Sequence, residues 1–248
     1  MEQIWAWFLW LYETTGINLS IFYDAFDRQR FFSGFLMTIK LAAICIICSV
    51  GVGIIGAWLQ GSPHKWTRRI TQAYIQFFRN TPPLVQLYFF YFAIGSVMPR
   101  MDTGDGATAS IVSAFAWAVI SLSFFAGSFN IEIFRAGIEA VPEATIDAAE
   151  SLGFTRLQTY CYFVLPLAFR ISLPALNNNL VNLVKGTTVA YVIAVPELLY
   201  VTSQIWHDEM NVPELMNVLL ITFSAMIGLM VYGMHRWEQG LRIPGYDR

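Results

Sequence analysis

The sequence is short of charge. Asp, Glu, Lys and Arg together make up 13% of its 248 residues, whereas soluble globular domains contain about 25%. Hydrophobic residues make up 56% of the chain. A chain with this composition has too few polar residues to cover itself in water, so the composition predicts an integral membrane protein.

Cysteines and catalytic motifs are also scarce. The three cysteines are an odd number, and this number predicts no disulfide framework. Cys45 and Cys48 have the spacing of a metal or redox motif, but they lie in an apolar run without a third ligand, which indicates simple packing. The chain has no H-E-x-x-H motif, and no lysine follows a glycine as a P-loop requires. We therefore expect no catalytic residues, no metal site and no bound cofactor.

Long apolar stretches are present in sufficient number to cross a membrane several times. A membrane helix needs about 20 largely apolar residues. Five stretches meet this requirement, at residues 32–59, 81–98, 111–131, 173–196 and 215–234. We therefore expect an all-α integral membrane protein with five transmembrane helices in one domain, residues 31–240. Residues 1–30 contain an apolar run that is too short to span a membrane. They are rich in tryptophan, which predicts a segment at the membrane interface.

The distribution of Lys and Arg predicts the orientation. With the N-terminus outside, nine basic residues fall in inner segments and three in outer segments. The inner set comprises Lys65, Arg68, Arg69, Arg135, Arg156, Arg170, Arg236, Arg242 and Arg248, and the outer set comprises Arg28, Arg30 and Arg100. Basic residues favour the cytoplasmic side, so we expect the N-terminus outside and a cytoplasmic tail at residues 241–248. The net charge of −2 argues against nucleic acid as a partner.

The longest inner loop, residues 141–166, has clear helix boundary signals. Pro142 and Glu143 favour a helix start, and Gly153 suits a left-handed helix end. Thr155 and Gln158 then match a capping box that opens a second helix, which runs to Pro166. We expect Ala148 and Ala149 to form a small, flat, exposed face on the first helix. An ordinary structured connection and a docking surface for another protein both fit this pattern.

Lys185 lies in the middle of the fourth apolar stretch. It is about 16 Å along a helix from Pro174 and from Pro196, where a charge is costly unless it faces a polar cavity or a partner. Polar residues surround it, namely Asn177, Asn178, Asn179, Asn182, Thr187 and Thr188. Its ammonium group suits a carboxylate. We therefore expect Lys185 and Thr187 to line a polar cavity and to contact a substrate that binds there. A purely structural charge is the alternative.

The loop resembles the EAA loop of permease subunits of bacterial ABC importers. The matching residues are Asp147, Ala148, Ala149, Gly153 and Pro166, with Asp147 in place of the usual Glu. The resemblance implies a type I ABC importer permease fold, in which these residues and Glu150 belong to a coupling helix that docks on a cytoplasmic ATPase.

A second stretch narrows the resemblance to permeases for polar amino acids. It is "FFRNTPPLVQLYFFYF", residues 77–92, and it contains the expected substrate-site residues Arg79, Asn80, Thr81 and Gln86. For Gln86, contact with substrate and hydrogen bonding between helices both fit. For Arg79, a lipid headgroup anchor is the alternative.

The segments 128–144 and 183–198 also resemble this family, although Gly186 replaces the usual Asp. The resemblance implies several partners: a dimer of ABC ATPase subunits that uses Mg–ATP, a second permease that is identical or homologous, a periplasmic amino acid-binding protein, and membrane lipid. It places the chain in the bacterial inner membrane. A secondary transporter and a purely structural membrane subunit are the alternative functions.

Overall fold

A computed structural model describes residues 2–102 and 108–241 of the chain. These residues form ten helices and one short hairpin. The helices are α1 (Glu2–Thr15), α2 (Ser20–Tyr23), α3 (Ala25–Gln60), α4 (Lys65–Asn80), α5 (Pro83–Val97), α6 (Ala114–Glu139), α7 (Glu143–Ser151), α8 (Arg156–Ile193), α9 (Leu198–Glu209) and α10 (Val212–Leu241). Most of the expected tail, residues 242–248, lies outside the described residues.

Four of these helices are long and apolar enough to cross a membrane, namely α3, α6, α8 and α10. They contain most or all of the predicted stretches 32–59, 111–131, 173–196 and 215–234, and they extend beyond them on at least one side. The stretch 81–98 differs, because its helix α5 covers only Pro83–Val97 and is shorter than a span requires. Pro82 and Pro83 cause this difference: proline disfavours helical conformation in the residue before it, and Thr81 is extended (ψ 140°).

The chain forms two compact units. Unit 1 comprises residues 1–44, 87–119 and 185–228, and unit 2 comprises residues 45–86, 120–184 and 229–248. A cluster of buried apolar side chains in unit 1 consists of Ile21, Ile205 and Leu215. A corresponding cluster in unit 2 consists of Val141, Val164 and Ala168.

Polar contacts fix the N-terminal segment within unit 1. The Asn211 side chain donates to the carbonyl of Asn18 at 3.0 Å, and the Tyr23 hydroxyl donates to Asn18 Oδ1 at 2.6 Å. Partial burial, with Glu209 as the next cause, raises the pKa of Tyr23 to about 12, so its hydroxyl stays protonated as a donor. Unit 1 also contains an antiparallel pair of strands, β1 (Arg100–Asp102) and β2 (Thr108–Ser110), which the sequence did not predict.

Close packing of helices supports unit 2. A Cβ atom placed on Gly137 of α6 would lie 2.7 Å from the carbonyl oxygen of Ala168 on α8, so no larger residue fits this contact without movement. Nearby, the Ser172 hydroxyl donates to the carbonyls of Ile133 and Ala168. Within unit 2, these contacts bring α6 against the part of α8 that follows the predicted docking loop.

Candidate functional site

Gln86 closes the break that the two prolines make between α4 and α5. It is 3% exposed, and its amide nitrogen donates to the carbonyls of Phe78 and Thr81 at 2.8 and 3.0 Å. It also donates to the Thr81 hydroxyl at 2.6 Å. These carbonyls lie at the end of α4, where the helix leaves them without partners. The side-chain nitrogen of Gln86 therefore has hydrogen bonds within the protein, while its side-chain oxygen is buried without a partner in the described residues.

The neighbouring predicted site residues have exposed or partly exposed side chains and partners of their own. Arg79 forms an ion pair with Glu132 of α6 and lies 5.0 Å from the centre of the Phe129 ring. Asn80 donates to the Gln76 side chain at 3.1 Å. The Thr81 hydroxyl donates to the carbonyl of Phe77 at 2.8 Å. Of the four predicted residues, Thr81 and Gln86 are thus bonded to each other, whereas the partners of Arg79 and Asn80 lie elsewhere on α6 and α4.

Lys185 has a different environment. Its side chain is exposed, and within the described residues its ammonium group has no hydrogen bond or ion pair. It lies eight residues before the end of α8 at Ile193, at the point where the α-helix to Gly186 passes into a 3₁₀ segment, Thr187–Ile193. The middle of the stretch 173–196, where Lys185 was predicted to lie, is therefore close to one end of α8, which begins at Arg156.

The asparagines that precede Lys185 divide into two sets. Asn178 and Asn182 are exposed, and with Lys185 they have spacings of four and three residues, which places them on one face of α8. Asn179 instead donates to the carbonyl of Ala126 and to Asn130 Oδ1, at 3.0 and 2.7 Å. Asn177 is 7% exposed. Of the four asparagines predicted to surround Lys185, only Asn178 and Asn182 therefore share its exposed face.

Thr187 and Glu197 are both completely buried. Thr187 is therefore not on the exposed face that carries Lys185, although it was predicted to share that site. Glu197 accepts hydrogen bonds from the amides of Leu199 and Tyr200 at the start of α9, at 3.0 and 2.8 Å. The sequence analysis did not predict this helix cap. The signal that could have indicated it is a polar residue directly before the apolar start of a helix.

The predicted left-handed helix end is present at Gly153, which has φ +87°. The amide of Phe154 donates to the carbonyl of Ala149 at 3.2 Å, and the amide of Gly153 donates to that of Glu150 at 3.0 Å. This pair of bonds is the Schellman motif, which ends a helix with a glycine in this conformation. Helix α7 therefore ends at a defined turn.

The predicted capping box follows directly. The Thr155 hydroxyl accepts from the amide of Gln158, and the Gln158 side chain accepts from the amide of Thr155. The second helix does not stop at Pro166. A π-helical segment, Tyr160–Val164, comes before the proline, and α8 continues through both the segment and Pro166. A widened turn is a common place for a helix to accommodate a disturbed hydrogen-bond pattern.

The exposed face of the loop differs from the prediction. Asp147, Ala148 and Glu150 are exposed, but Ala149 is 3% exposed, so the expected Ala148–Ala149 face is wrong. Neighbouring residues on a helix point in different directions, and Ala149 points inward. The sequence reasoning missed two exposed apolar side chains on either side of Gly153, Leu152 at 77% and Leu157 at 74%. Both leucines are thus accessible to another molecule, on either side of the turn.

Within residues 2–102 and 108–241, no three His, Cys, Asp or Glu side chains form a group that could hold a metal ion.

Several relatives are similar to this chain over most of its length. The probable glutamine ABC transporter permease protein GlnM of Bacillus subtilis is 30% identical over 74% of this chain and 79% of its own. The glutamate/aspartate import permease protein GltJ of Escherichia coli is 26% identical over 86% of this chain and 87% of its own. The histidine/lysine/arginine/ornithine transport system permease protein HisQ of Salmonella typhimurium is 26% identical over 68% of this chain and 75% of its own.

Solved structures agree with this similarity. A crystal structure of an amino acid ABC transporter with histidines matches with a TM-score of 0.74 and 27% identity, covering 86% of this chain and 94% of that chain. An inward-facing structure of the MetNI methionine ABC transporter matches with a TM-score of 0.62 and 17% identity, covering 87% of this chain and 95% of that chain, and shows a shared fold. The fold is that of a type I ABC importer permease, as the sequence predicted.

A family model gives the assignment, because it matches residues 49–238, most of the chain. The chain belongs to the family of binding-protein-dependent transport system inner membrane components, and it is a multi-pass, non-catalytic transport subunit that works with a separate ATPase and a substrate-binding protein.

Proposed function

We propose that the importer to which this chain belongs carries polar amino acids, and that Lys185 binds their α-carboxylate. The exposed ammonium group of Lys185, without a partner in the described residues, carries this proposal. An ammonium group forms charge-assisted hydrogen bonds with a carboxylate, which every α-amino acid contains. The names of the relatives support the substrate class.

The other residues of the predicted site have a positioning role in this proposal. Gln86 holds the break between α4 and α5 through its bonds to Thr81, Arg79 ties the end of α4 to Glu132 of α6, and Asn80 bonds to Gln76 within α4. Thr187 lies buried in the 3₁₀ segment that follows Lys185 and supports the backbone there.

Uptake into proteoliposomes tests the substrate class. The purified importer, with its ATPase and binding protein, is supplied with a panel of radiolabelled amino acids and with sugars as a control. We expect uptake of one or more polar amino acids only when ATP is inside with the ATPase. Uptake driven by an ion gradient without ATP would support the secondary transporter instead, and uptake of sugars alone would exclude the amino acid assignment.

We further propose that α7 docks on the ATPase and transmits its movement. Leu152 and Leu157 supply exposed apolar contacts, and the Schellman motif and capping box hold the turn between them. In this scheme, closure of an ATPase dimer on ATP moves the coupling helices of two permease subunits and opens the pathway outward. Mg–ATP is used by the ATPase, and this chain itself binds no cofactor.

Gly153→Val tests the coupling role. A Cβ atom at Gly153 would meet nothing within 4 Å, so valine acts only through the positive φ. A left-handed conformation costs a side chain such as valine roughly 1–2 kcal/mol, which is enough to disturb a short turn. We expect normal amounts in the membrane, but reduced co-purification with the ATPase and little transport.

Two variants serve as controls for this experiment. Gly153→Asn tolerates the left-handed region better and should retain more docking and transport. Gly228→Val also places a side chain in open space, without a positive φ, and should behave as wild type. Equal docking and transport by the valine and asparagine variants at position 153 would show that the turn does not position α7 for docking on the ATPase.

We also propose that residues 1–30 face the periplasm and that the loop 141–166 faces the cytoplasm, following the basic residues. Single cysteines replace Thr14 and Ser151, both exposed, in a chain without Cys45, Cys48 and Cys161. An impermeant maleimide should label position 14 in intact cells, and position 151 only after lysis. Labelling of position 151 alone in intact cells would reverse the orientation.

A further inference from the structure

A strongly basic cleft lies beside the turn between α3 and α4, within unit 2. Its volume is about 510 Å³. The residues that line it are Gln60, Lys65, Arg68, Arg69, Gln72 and Arg135. Four of these six residues carry a positive charge and none carries a negative charge. The Gln60 side chain donates to Gln72 Oε1 at 2.9 Å, so a neutral amide pair forms part of the wall.

Most of the positive charge in this cleft is not neutralised by the protein. Within the described residues, Lys65, Arg68 and Arg69 form no ion pair with a carboxylate. Arg68 donates to the carbonyl of Ser62 at 3.1 Å, and Arg135 pairs with Glu139 at 2.6 Å. Three full positive charges therefore converge on one small cleft, where they repel one another unless an anion joins them.

Large apolar side chains stand beside these charges. Trp58, Trp66 and Ile70 are 76%, 73% and 69% exposed. Arg69 lies 5.5 Å from the centre of the Trp66 ring, so these two side chains are in contact. The cleft is located where α3, a helix that can cross the membrane, ends at Gln60. Tryptophan at such a position is typical of the interface between lipid headgroups and acyl chains.

We propose that this cleft binds the headgroup of an anionic phospholipid, with the phosphate among Lys65, Arg68 and Arg69 and the acyl chains against Trp58, Trp66 and Ile70. Clusters of basic residues at the end of a membrane helix attract anionic lipid in this way. A phosphate alone would satisfy the charges but would leave the apolar side chains uncovered, so a lipid fits better than a soluble phosphate. None of the residues that line the cleft belongs to the predicted substrate site, and its location in the cytoplasmic leaflet rests on the proposed orientation.

Photocrosslinking tests the proposal. The purified complex of permease and ATPase is incubated with phosphatidylglycerol or phosphatidylcholine carrying the same photoreactive acyl chain, and labelling of the permease is measured. We expect phosphatidylglycerol to label at least fivefold more, and high salt to reduce the difference. Lys65→Gln with Arg69→Gln leaves the Arg68 contact with the turn intact. This pair should lower phosphatidylglycerol labelling about 25-fold, since each of the two charges near the surface contributes about fivefold.

A second pair of substitutions controls for total charge. Arg170→Gln with Arg236→Gln removes two exposed cations that do not line the cleft, and it should leave labelling unchanged. Equal labelling by the two lipids, or an equal loss in both double variants, would overturn the proposal. Competition by soluble glycerol phosphate would identify a soluble phosphate site instead. Labelling of the free permease that disappears when the ATPase is bound would identify the cleft as part of the ATPase interface.

Discussion

Gln86 and Lys185 are both polar residues in apolar segments, and the structure gives them opposite surroundings. Gln86 is buried, and its amide nitrogen has three hydrogen bonds to α4 and the residue that follows it. Lys185 is exposed, and its ammonium group has no partner in the described residues. Burying a polar group is costly unless its bonds are made. The amide nitrogen of Gln86 therefore has partners within the protein, although its side-chain oxygen is buried without one, whereas the ammonium group of Lys185 is exposed and has none in the described residues.

Lys185→Met should have the largest effect on transport. The substitution keeps the length of the side chain but removes its charge, so the protein should insert and assemble normally. Loss of a charge-assisted hydrogen bond of about 1.5–3 kcal/mol should lower uptake at least about tenfold. Uptake of labelled substrate, normalised to the amount of assembled complex, measures this. Lys185→Arg keeps the charge and should retain more activity, while wild-type uptake in the methionine variant would mean that the lysine is structural.

Gln86→Leu should have its main effect on stability. The three groups that accept from Gln86 lose a donor, which should lower the free energy of unfolding by about 1–3 kcal/mol. Thermal unfolding of the purified subunit in detergent measures this change. Uptake per folded molecule should stay near the wild-type value. A variant that is fully stable but transports like Lys185→Met would place Gln86 in the substrate site and end the contrast between the two residues.

Thr81→Val should have a smaller effect of the same kind. It removes the hydroxyl that accepts from Gln86 and donates to Phe77, with an expected loss of about 0.5–1.5 kcal/mol. The double variant with Gln86→Leu should be less destabilised than the sum of the single variants, because the two residues share one contact. Strict additivity in thermal unfolding would mean that this hydrogen bond contributes nothing.

Asn182→Ala should change stability least. Its side chain is exposed on the face of α8 that carries Lys185, and exposed substitutions usually change stability by less than about 0.5 kcal/mol. Asn179→Ala is the matched comparison, because it removes bonds to Ala126 and Asn130 and should be clearly less stable. Equal unfolding temperatures for the two variants would contradict the division of the asparagines.

Features that depend on a few neighbouring residues could be predicted from the sequence. Gly153 and the pair Thr155–Gln158 have the predicted turn and capping box, because these motifs are determined by local backbone conformation and by hydrogen bonds over three or four residues. The apolar stretches locate the long helices for a similar reason. A run of about 20 apolar residues can be recognised without knowledge of the rest of the fold.

Features that depend on tertiary contacts could not be predicted in this way. The inward position of Ala149 depends on how α7 lies against its surroundings, and the burial of Thr187 depends on the packing of the 3₁₀ segment. The different surroundings of Gln86 and Lys185 also could not be predicted. The sequence places both residues in apolar segments, but it does not show which of them has hydrogen-bond partners within the protein.

The contact between Asn18 and Asn211 has a consequence for synthesis of the protein. The two residues are 193 positions apart in the chain, so the bond between them forms only after Asn211 has left the ribosome. Until then, the N-terminal segment lacks the residues that hold it, including Ile205 and Leu215 of the shared apolar cluster. Insertion of the first membrane helix therefore precedes the docking of the segment before it, and arrest of translation before residue 205 should leave that segment open to added protease.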